Sequence, residues 1–146
     1  SGLDNVSSYI QSGNVICETS ISAKELARHI HQLILEKIGA NLAIIVKEKS
    51  DLEKAILQNP FPEELDSSRI HLVFTNSHIS TERLTEVREM NFTDEIFAVG
   101  ETCLYMYLPR DARIKKLNNN FLEKKLGIIA TTRKLSVIKK LIDRMD

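Results

Sequence analysis

The chain has 146 residues, of which 42% are hydrophobic, 27% are charged and 5% are aromatic, with no tryptophan. Twenty basic and twenty acidic residues give a formal net charge of zero, so the composition offers no global attraction to nucleic acid or to an anionic membrane. No apolar run approaches the roughly 20 residues of a membrane span, so we expect no membrane association. The length favours one ordinary domain or two small ones.

The two cysteines, Cys17 and Cys103, lie far apart in apolar, β-like segments. We expect two buried thiols in a reducing compartment, which makes the cytoplasm the predicted location. No pair of cysteines or histidines has the spacing of a zinc site, and no phosphate-binding glycine motif is present. The sequence therefore predicts neither a metal nor a cofactor.

The first segment predicts a β-hairpin followed by a helix. Strands at about 6–10 and 14–18 flank the polar link Gln11–Asn14, in which glycine and asparagine favour a tight turn. The Ser22–Glu25 capping box starts the helix and Gly39 ends it. Apolar residues recur along this helix at three- and four-residue spacing, namely Leu26, Ile30, Leu33, Ile34 and Ile38.

A strand and a short helix complete the first half of the chain. The β-branched run at 42–46 predicts a buried strand, and Ser50–Glu53 is a second capping box that starts the helix. The polar connector 63–68 is the best candidate boundary between two halves. We therefore expect two subdomains, residues 1–62 and 63–146.

The second half predicts an alternation of strands and helices. Ser80 and one of Asn118, Asn119 or Asn120 are helix caps, and Gly127 stops a helix. Within one strand, Tyr105 and Tyr107 share a face that we expect to be half covered. The predicted strands are 70–74, 95–99 and 103–108, with Gly100-Glu101 as the turn, and the helices are 81–90, 118–126 and 133–145.

This order of elements predicts an α+β fold with mostly antiparallel sheets and helices on one face of each half. The first half is similar to a ferredoxin-like βαββαβ unit without its opening strand and helix. The central strand of such a sheet would then be absent, and its neighbours would keep unpaired edges. Such edges leave open a homo-oligomer formed by strand pairing.

Five short motifs, in this order, carry a resemblance to a known family. They are Tyr-Ile-Gln-Ser-Gly-Asn-Val at 9–15, Asn-Pro-Phe at 59–61, Leu-Tyr at 104–105, Leu-Glu-Lys-Lys-Leu-Gly at 122–127 and Ala-Thr-Thr-Arg at 130–133. With them, the chain resembles the DUF1697 family of proteins of unknown function. The resemblance implies two tandem ferredoxin-like subdomains in a bacterial-type cytosolic protein.

The chain departs from the family pattern in two places. Family members usually begin with a strand and a helix that carry a Leu-Arg-Gly-Ile-Asn-like segment, which does not precede Ser1. We therefore expect that the chain is a piece of a longer protein or that a partner covers the open edge. The family often has asparagine where this chain has Lys134, which puts in doubt any role that needs a neutral amide there.

Two polar segments are the candidate binding sites. Thr131, Thr132, Arg133 and Lys134 are predicted to open the last helix, where free amides, hydroxyls and cations favour a phosphate or a carboxylate. The alternative is that one threonine caps the helix and Arg133 pairs with an acid elsewhere.

The hairpin tip is the second candidate. Gln11, Ser12 and Asn14 could contact a ligand, although serine and asparagine also serve as ordinary turn residues. If both segments converge in space, we expect a polar pocket between the subdomains.

Three functions follow from these features. We favour a binding module for a small anionic ligand, or less favourably for nucleic acid stacked on Tyr105 and Tyr107. The alternatives are a protein-interaction domain that pairs through an open sheet edge and an enzyme that uses the same polar segments. No acid, base or nucleophile is placed by the sequence, so the enzyme assignment stays open and catalytic residues are unknown.

Overall fold

A computed structural model describes residues 4–9, 14–39 and 44–145. The strands are β1 (Asp4–Tyr9), β2 (Asn14–Glu18), β3 (Ile70–Thr75), β4 (Ile96–Val99), β5 (Leu104–Tyr107) and β6 (Ala130–Lys134). The α-helices are α1 (Ala23–Ile38), α2 (Lys49–Leu57), α3 (Thr81–Arg88), α4 (Asn119–Leu126) and α5 (Leu135–Arg144), with a short 3₁₀ turn at Ser67–Arg69.

The strands form two antiparallel sheets. β1 and β2 pair as the predicted hairpin, although its tip at 10–13 lies outside the described residues. β3 to β6 form a four-stranded sheet in the order β4-β5-β3-β6, and every neighbouring pair is antiparallel. The predicted α+β class and its antiparallel pairing are confirmed.

Apolar side chains alternate along the central strands and make a core on each face of the larger sheet. On β5, Leu104 and Met106 face a core shared with α3 and α4, whereas Tyr105, together with Cys103 just before the strand, faces a core shared with α2 and α5. Helices therefore cover both faces of this sheet, because its two central strands are apolar on both sides. The prediction of helices on one face is wrong for this sheet.

Tyr105 is fully buried, and its hydroxyl donates a hydrogen bond of 2.7 Å to the carbonyl oxygen of Ala55 in α2. The predicted half-covered tyrosine face is thus wrong at this position. A ring enclosed between a helix and a sheet cannot stack on a base, so Tyr105 is unable to serve as a nucleic-acid platform. Tyr107, which is half buried, packs against Phe61 instead.

Several helix boundaries confirm the sequence reading, because they depend on local chemistry. The Ser22 hydroxyl accepts a hydrogen bond from the Glu25 amide at 3.2 Å, and Asn118 caps α4 in the same way. Gly39 and Gly127 end α1 and α4 in the left-handed conformation, with φ of 80° and 65°, which glycine adopts without strain.

Three local predictions are corrected. The helix α2 starts two residues earlier than a Ser50 cap implied, with Glu48 as its N-cap, and the Asp51 carboxylate accepts a hydrogen bond from the Glu48 amide at 3.0 Å. In the predicted strand at 42–46, residues 44–46 have no regular structure, and 42–43 lie outside the described residues. The link between β4 and β5 is a four-residue loop, 100–103, rather than a two-residue turn.

The largest correction concerns residues 130–134, which form β6 and not the start of a helix. All five residues pair with β3, from Ala130 opposite Thr75 to Lys134 opposite His71. The threonines are β-branched and favour a strand when a partner strand is available. The last helix, α5, begins only at Leu135, and Lys134 is its N-cap without a side-chain hydrogen bond.

None of the helices in the described part of the chain has the length and apolar character needed to cross a membrane.

Candidate functional site

A cavity of about 220 Å³ lies between the start of β2, the segment before α2, the β3–β6 edge of the larger sheet and α5. Most of its wall is apolar. The lining residues are Asn14, Val15, Ile16, Ile44, Ile45, Lys47, Leu52, Phe74, Thr131, Arg133, Ile138, Leu141 and Met145.

Strand alternation on β6 decides which of the predicted site residues reach this cavity. Thr131 and Arg133 are two residues apart, point to the same face of the sheet and line the cavity. Thr132 points to the opposite face, where its hydroxyl donates to the Asn119 side-chain oxygen at 2.8 Å. Lys134 is exposed and lies outside the cavity wall.

Among the described residues, Arg133 donates hydrogen bonds to three groups. Its Nε donates to the Asn14 side-chain oxygen at 2.7 Å, and its Nη1 donates to the Thr131 hydroxyl at 2.6 Å and to the Thr132 carbonyl oxygen at 2.9 Å. The side chain is half buried, and this burial lowers the pKa of the guanidinium. Arginine remains cationic at neutral pH even so, and the cavity therefore contains a positioned positive charge.

The start of β2 in the hairpin and the Thr131–Lys134 segment are thus in contact. The hypothesis of a polar pocket between them required such a contact. Asn14 and Arg133 are 119 residues apart in the chain, and their side chains are in direct contact. The structure brings together Asn14, Thr131 and Arg133. Gln11 and Ser12 lie outside the described residues.

Lys47 is a second cation on the cavity wall, and the sequence reasoning missed it. Its Nζ donates to the Thr75 carbonyl oxygen at 3.1 Å, which holds the segment before α2 against the end of β3. The only local signal is one lysine after the apolar residues 44–46, a pattern without specificity. Among the described residues that line the cavity, two are cationic and none is acidic.

The source of positive potential differs from the one predicted. The Arg133 backbone is paired with Leu72 inside the sheet, so it is not one of the free amides of a helix N-terminus. The positive potential comes from the side chains of Arg133 and Lys47. The predicted helix N-terminus at Thr131–Lys134 is therefore wrong, and the cations of the cavity wall lie on a strand and on the segment before α2.

A second cavity, of about 440 Å³, lies around the loop 100–103 and shares Lys47 with the first. Its wall carries charges of both signs, including Asp51 and Glu101. Cys103 also lines it, and burial raises the pKa of that thiol to about 11. The thiol is protonated at neutral pH and is a poor nucleophile. In the part of the chain that the structure describes, no group of histidine, cysteine and acidic residues could hold a metal ion.

Comparison with known proteins identifies a family and a fold. Residues 1–105 match the model of the family described as "Protein of unknown function (DUF1697)". Segment 130–133, which carried part of the resemblance seen in the sequence, lies beyond the matched region.

A solved structure, described as that of the conserved bacterial protein SP0830 from Streptococcus pneumoniae, superposes with a TM-score of 0.72 at 17% sequence identity. The alignment covers 99% of this chain and 82% of that protein, and at this identity the likeness concerns the fold alone. No curated protein matches the chain. Because the family model covers well over half of the sequence, the chain belongs to the DUF1697 family of proteins of unknown function.

Proposed function

We propose that this protein is a binding module for a small ligand that bears a phosphate or a carboxylate, held in the cavity between the hairpin and the larger sheet. The observation that carries the proposal is the charge of the described wall, on which Arg133 and Lys47 are cationic and no residue is acidic. Two cations on a mostly apolar wall favour an anion. Apolar side chains lower the local dielectric constant, and the attraction between opposite charges is then stronger than in bulk water.

The hydrogen bonds of Arg133 support this proposal. Its guanidinium is fixed by Asn14, Thr131 and the Thr132 carbonyl group, so little side-chain freedom remains to be lost on binding. Such preorganisation raises affinity without adding contacts. The cavity of about 220 Å³ is smaller than the roughly 300–1,000 Å³ of sites for drug-sized molecules, which favours a small metabolite.

Thermal unfolding with a panel of phosphates and carboxylates tests the proposal. A ligand at a hundred times its dissociation constant adds about 2.7 kcal/mol to the free energy of unfolding. We expect this gain to disappear in Lys47→Met and to persist in Lys134→Met, which removes a charge outside the cavity. An equal loss in both variants, or no stabilisation by any anion, would contradict the proposal.

Arg133→Ala adds a second test of the same site. If Arg133 serves the ligand, the variant folds and loses anion binding. If the variant fails to fold, Arg133 is an internal structural partner, and the assignment of a ligand role to this residue fails. Lys47→Met then decides the question alone, because Lys47 makes a single hydrogen bond to the described residues through its side chain.

A second candidate function is self-association through the hairpin. Within the described residues, β1 and β2 pair with each other and with no third strand. The apolar stripe of α1 is covered only in part, since Leu26 is buried and Ile38 is 76% exposed. These features support pairing with a second copy of the chain, and a molar mass that rises with concentration in light scattering would establish it. A monomer at all concentrations would exclude it.

We also propose the finer architecture that the resemblance implies, with subdomains at 1–62 and 63–146 and a ferredoxin-like unit in each. In its support, residues 70–134 follow the order β-α-β-β-α-β, and β3 and β5 occupy the centre of their sheet.

Two free thiols, Cys17 and Cys103, support a cytoplasmic location. Nucleic acid remains the less favoured partner and catalysis the less favoured activity at this site.

A further inference from the structure

We infer that the ligand is a carboxylic acid with a hydrocarbon body, rather than a phosphorylated metabolite. This inference rests on the proposed function, since it names the chemical class of ligand for the same cavity. It follows from the composition of the wall and from the donors that the wall offers.

The wall offers few partners for a polyhydroxylated ligand. Nine of the thirteen lining residues are apolar, and the other four are Asn14, Lys47, Thr131 and Arg133. Three of these four are already hydrogen-bonded to each other. A sugar phosphate would bury several hydroxyl groups against Ile, Leu and Phe side chains, and each buried hydroxyl without a partner is unfavourable. A hydrocarbon body has no hydroxyl groups and avoids this unfavourable burial.

Lys47 is the natural partner of the carboxylate. Its ammonium group has three N–H donors, and one of them bonds the Thr75 carbonyl oxygen among the described residues. The remaining two can donate to a carboxylate without displacing that bond. Arg133, fixed by its own hydrogen bonds, contributes a second positive charge on the same wall.

The apolar side of the cavity would hold the hydrocarbon chain. Phe74 comes from β3, Leu52 from α2, and Ile138 and Leu141 from α5. On this side the chain would lie against side chains of the core shared by these elements. Each methylene transferred from water to such a wall tightens binding about fourfold.

Calorimetric titration with linear carboxylates tests this inference on the intact chain. We expect affinity to rise about fourfold per added methylene from butanoate to hexanoate, until the cavity is filled. Octanamide, which has the same body as octanoate and a neutral head group, should bind at least tenfold more weakly. Lys47→Met should lower the affinity for octanoate at least tenfold, and Lys134→Met should leave that affinity unchanged.

The outcomes separate the two proposals. If inorganic phosphate binds as tightly as octanoate and Lys47→Met abolishes this binding, the ligand does not need a hydrocarbon body. The inference is then wrong, and the proposed anion site stands. If octanamide binds as tightly as octanoate, the cavity is merely apolar and both proposals fail. If Lys47→Met does not fold, Lys47→Gln, which keeps a donor to Thr75 and removes the charge, provides the same comparison.

Discussion

The link between Tyr105 and Ala55 offers the sharpest prediction about the scaffold of the site. In a regular helix the Ala55 carbonyl oxygen would accept from the amide of Asn59, but that amide bonds the Ile56 carbonyl group instead. The Tyr105 hydroxyl takes its place at 2.7 Å. A side chain on β5 thus satisfies a carbonyl in the last turn of α2, the helix that contributes Leu52 to the cavity.

The variant Tyr105→Phe removes only this hydroxyl. Both groups are fully buried, so the Ala55 carbonyl oxygen loses a partner that water cannot replace. A buried acceptor left unpaired costs about 1–3 kcal/mol, which corresponds to a fall of roughly 3–10 °C in the unfolding midpoint of a domain of this size. Burial raises the pKa of Tyr105, so the hydroxyl remains a donor in neutral and mildly alkaline solution.

Urea unfolding of Tyr105→Phe, with Tyr107→Phe as the matched control, measures the effect. Tyr107 lies on the same strand, and its hydroxyl accepts a longer hydrogen bond of 3.3 Å from the exposed Asp66 amide. We expect a change below about 0.5 kcal/mol in the control. Equal losses in the two variants would refute the view that Tyr105 completes the end of α2.

Three further predictions concern backbone and charge. Gly127→Ala should lower the free energy of unfolding by about 1 kcal/mol, because φ is 65° there. The added Cβ would meet the Arg83 side chain, which can move aside and adds little to this loss. Gly100→Ala should cost more, since its Cβ would lie 2.6 Å from the ring of the buried Tyr105; denaturant titration that ranks Gly127→Ala as the worse variant would contradict this. Burial lowers the pKa of His71 below 6.5, so the unfolded chain binds the proton first as pH falls below 6.5, and stability should decrease there. His71→Gln should flatten that decrease in urea midpoints at pH 7.5 and 5.5, and an unchanged decrease would exclude His71 as its source.

Much of the fold was predictable where local chemistry determines structure. Helix ends at Ser22, Gly39, Asn118 and Gly127 depend on residues within one turn, and the chain carries those residues in sequence. The strand β5 was likewise predictable from its apolar and β-prone residues, whereas the second core that buries Tyr105 was not, because helices α2 and α5 supply it.

The errors arose where a distant segment decides the outcome. Residues 130–134 resemble the start of the last helix in isolation, and only β3, some 60 residues earlier, makes them a strand. Contacts between distant segments also determine the composition of the site. Asn14 and Arg133 were both candidates, but their contact depends on how the hairpin meets the sheet. Lys47 has no distinguishing neighbour in sequence, and the fold alone makes it part of the cavity wall.

A crystal structure of the chain with octanoate at saturating concentration would locate the ligand directly. We expect a carboxylate within hydrogen-bonding distance of the Lys47 ammonium group, on the wall that also carries Arg133, with its chain against Phe74 and Leu141. A cavity that stays empty while the same crystals bind octanoate elsewhere would show that this wall does not recognise a small anion.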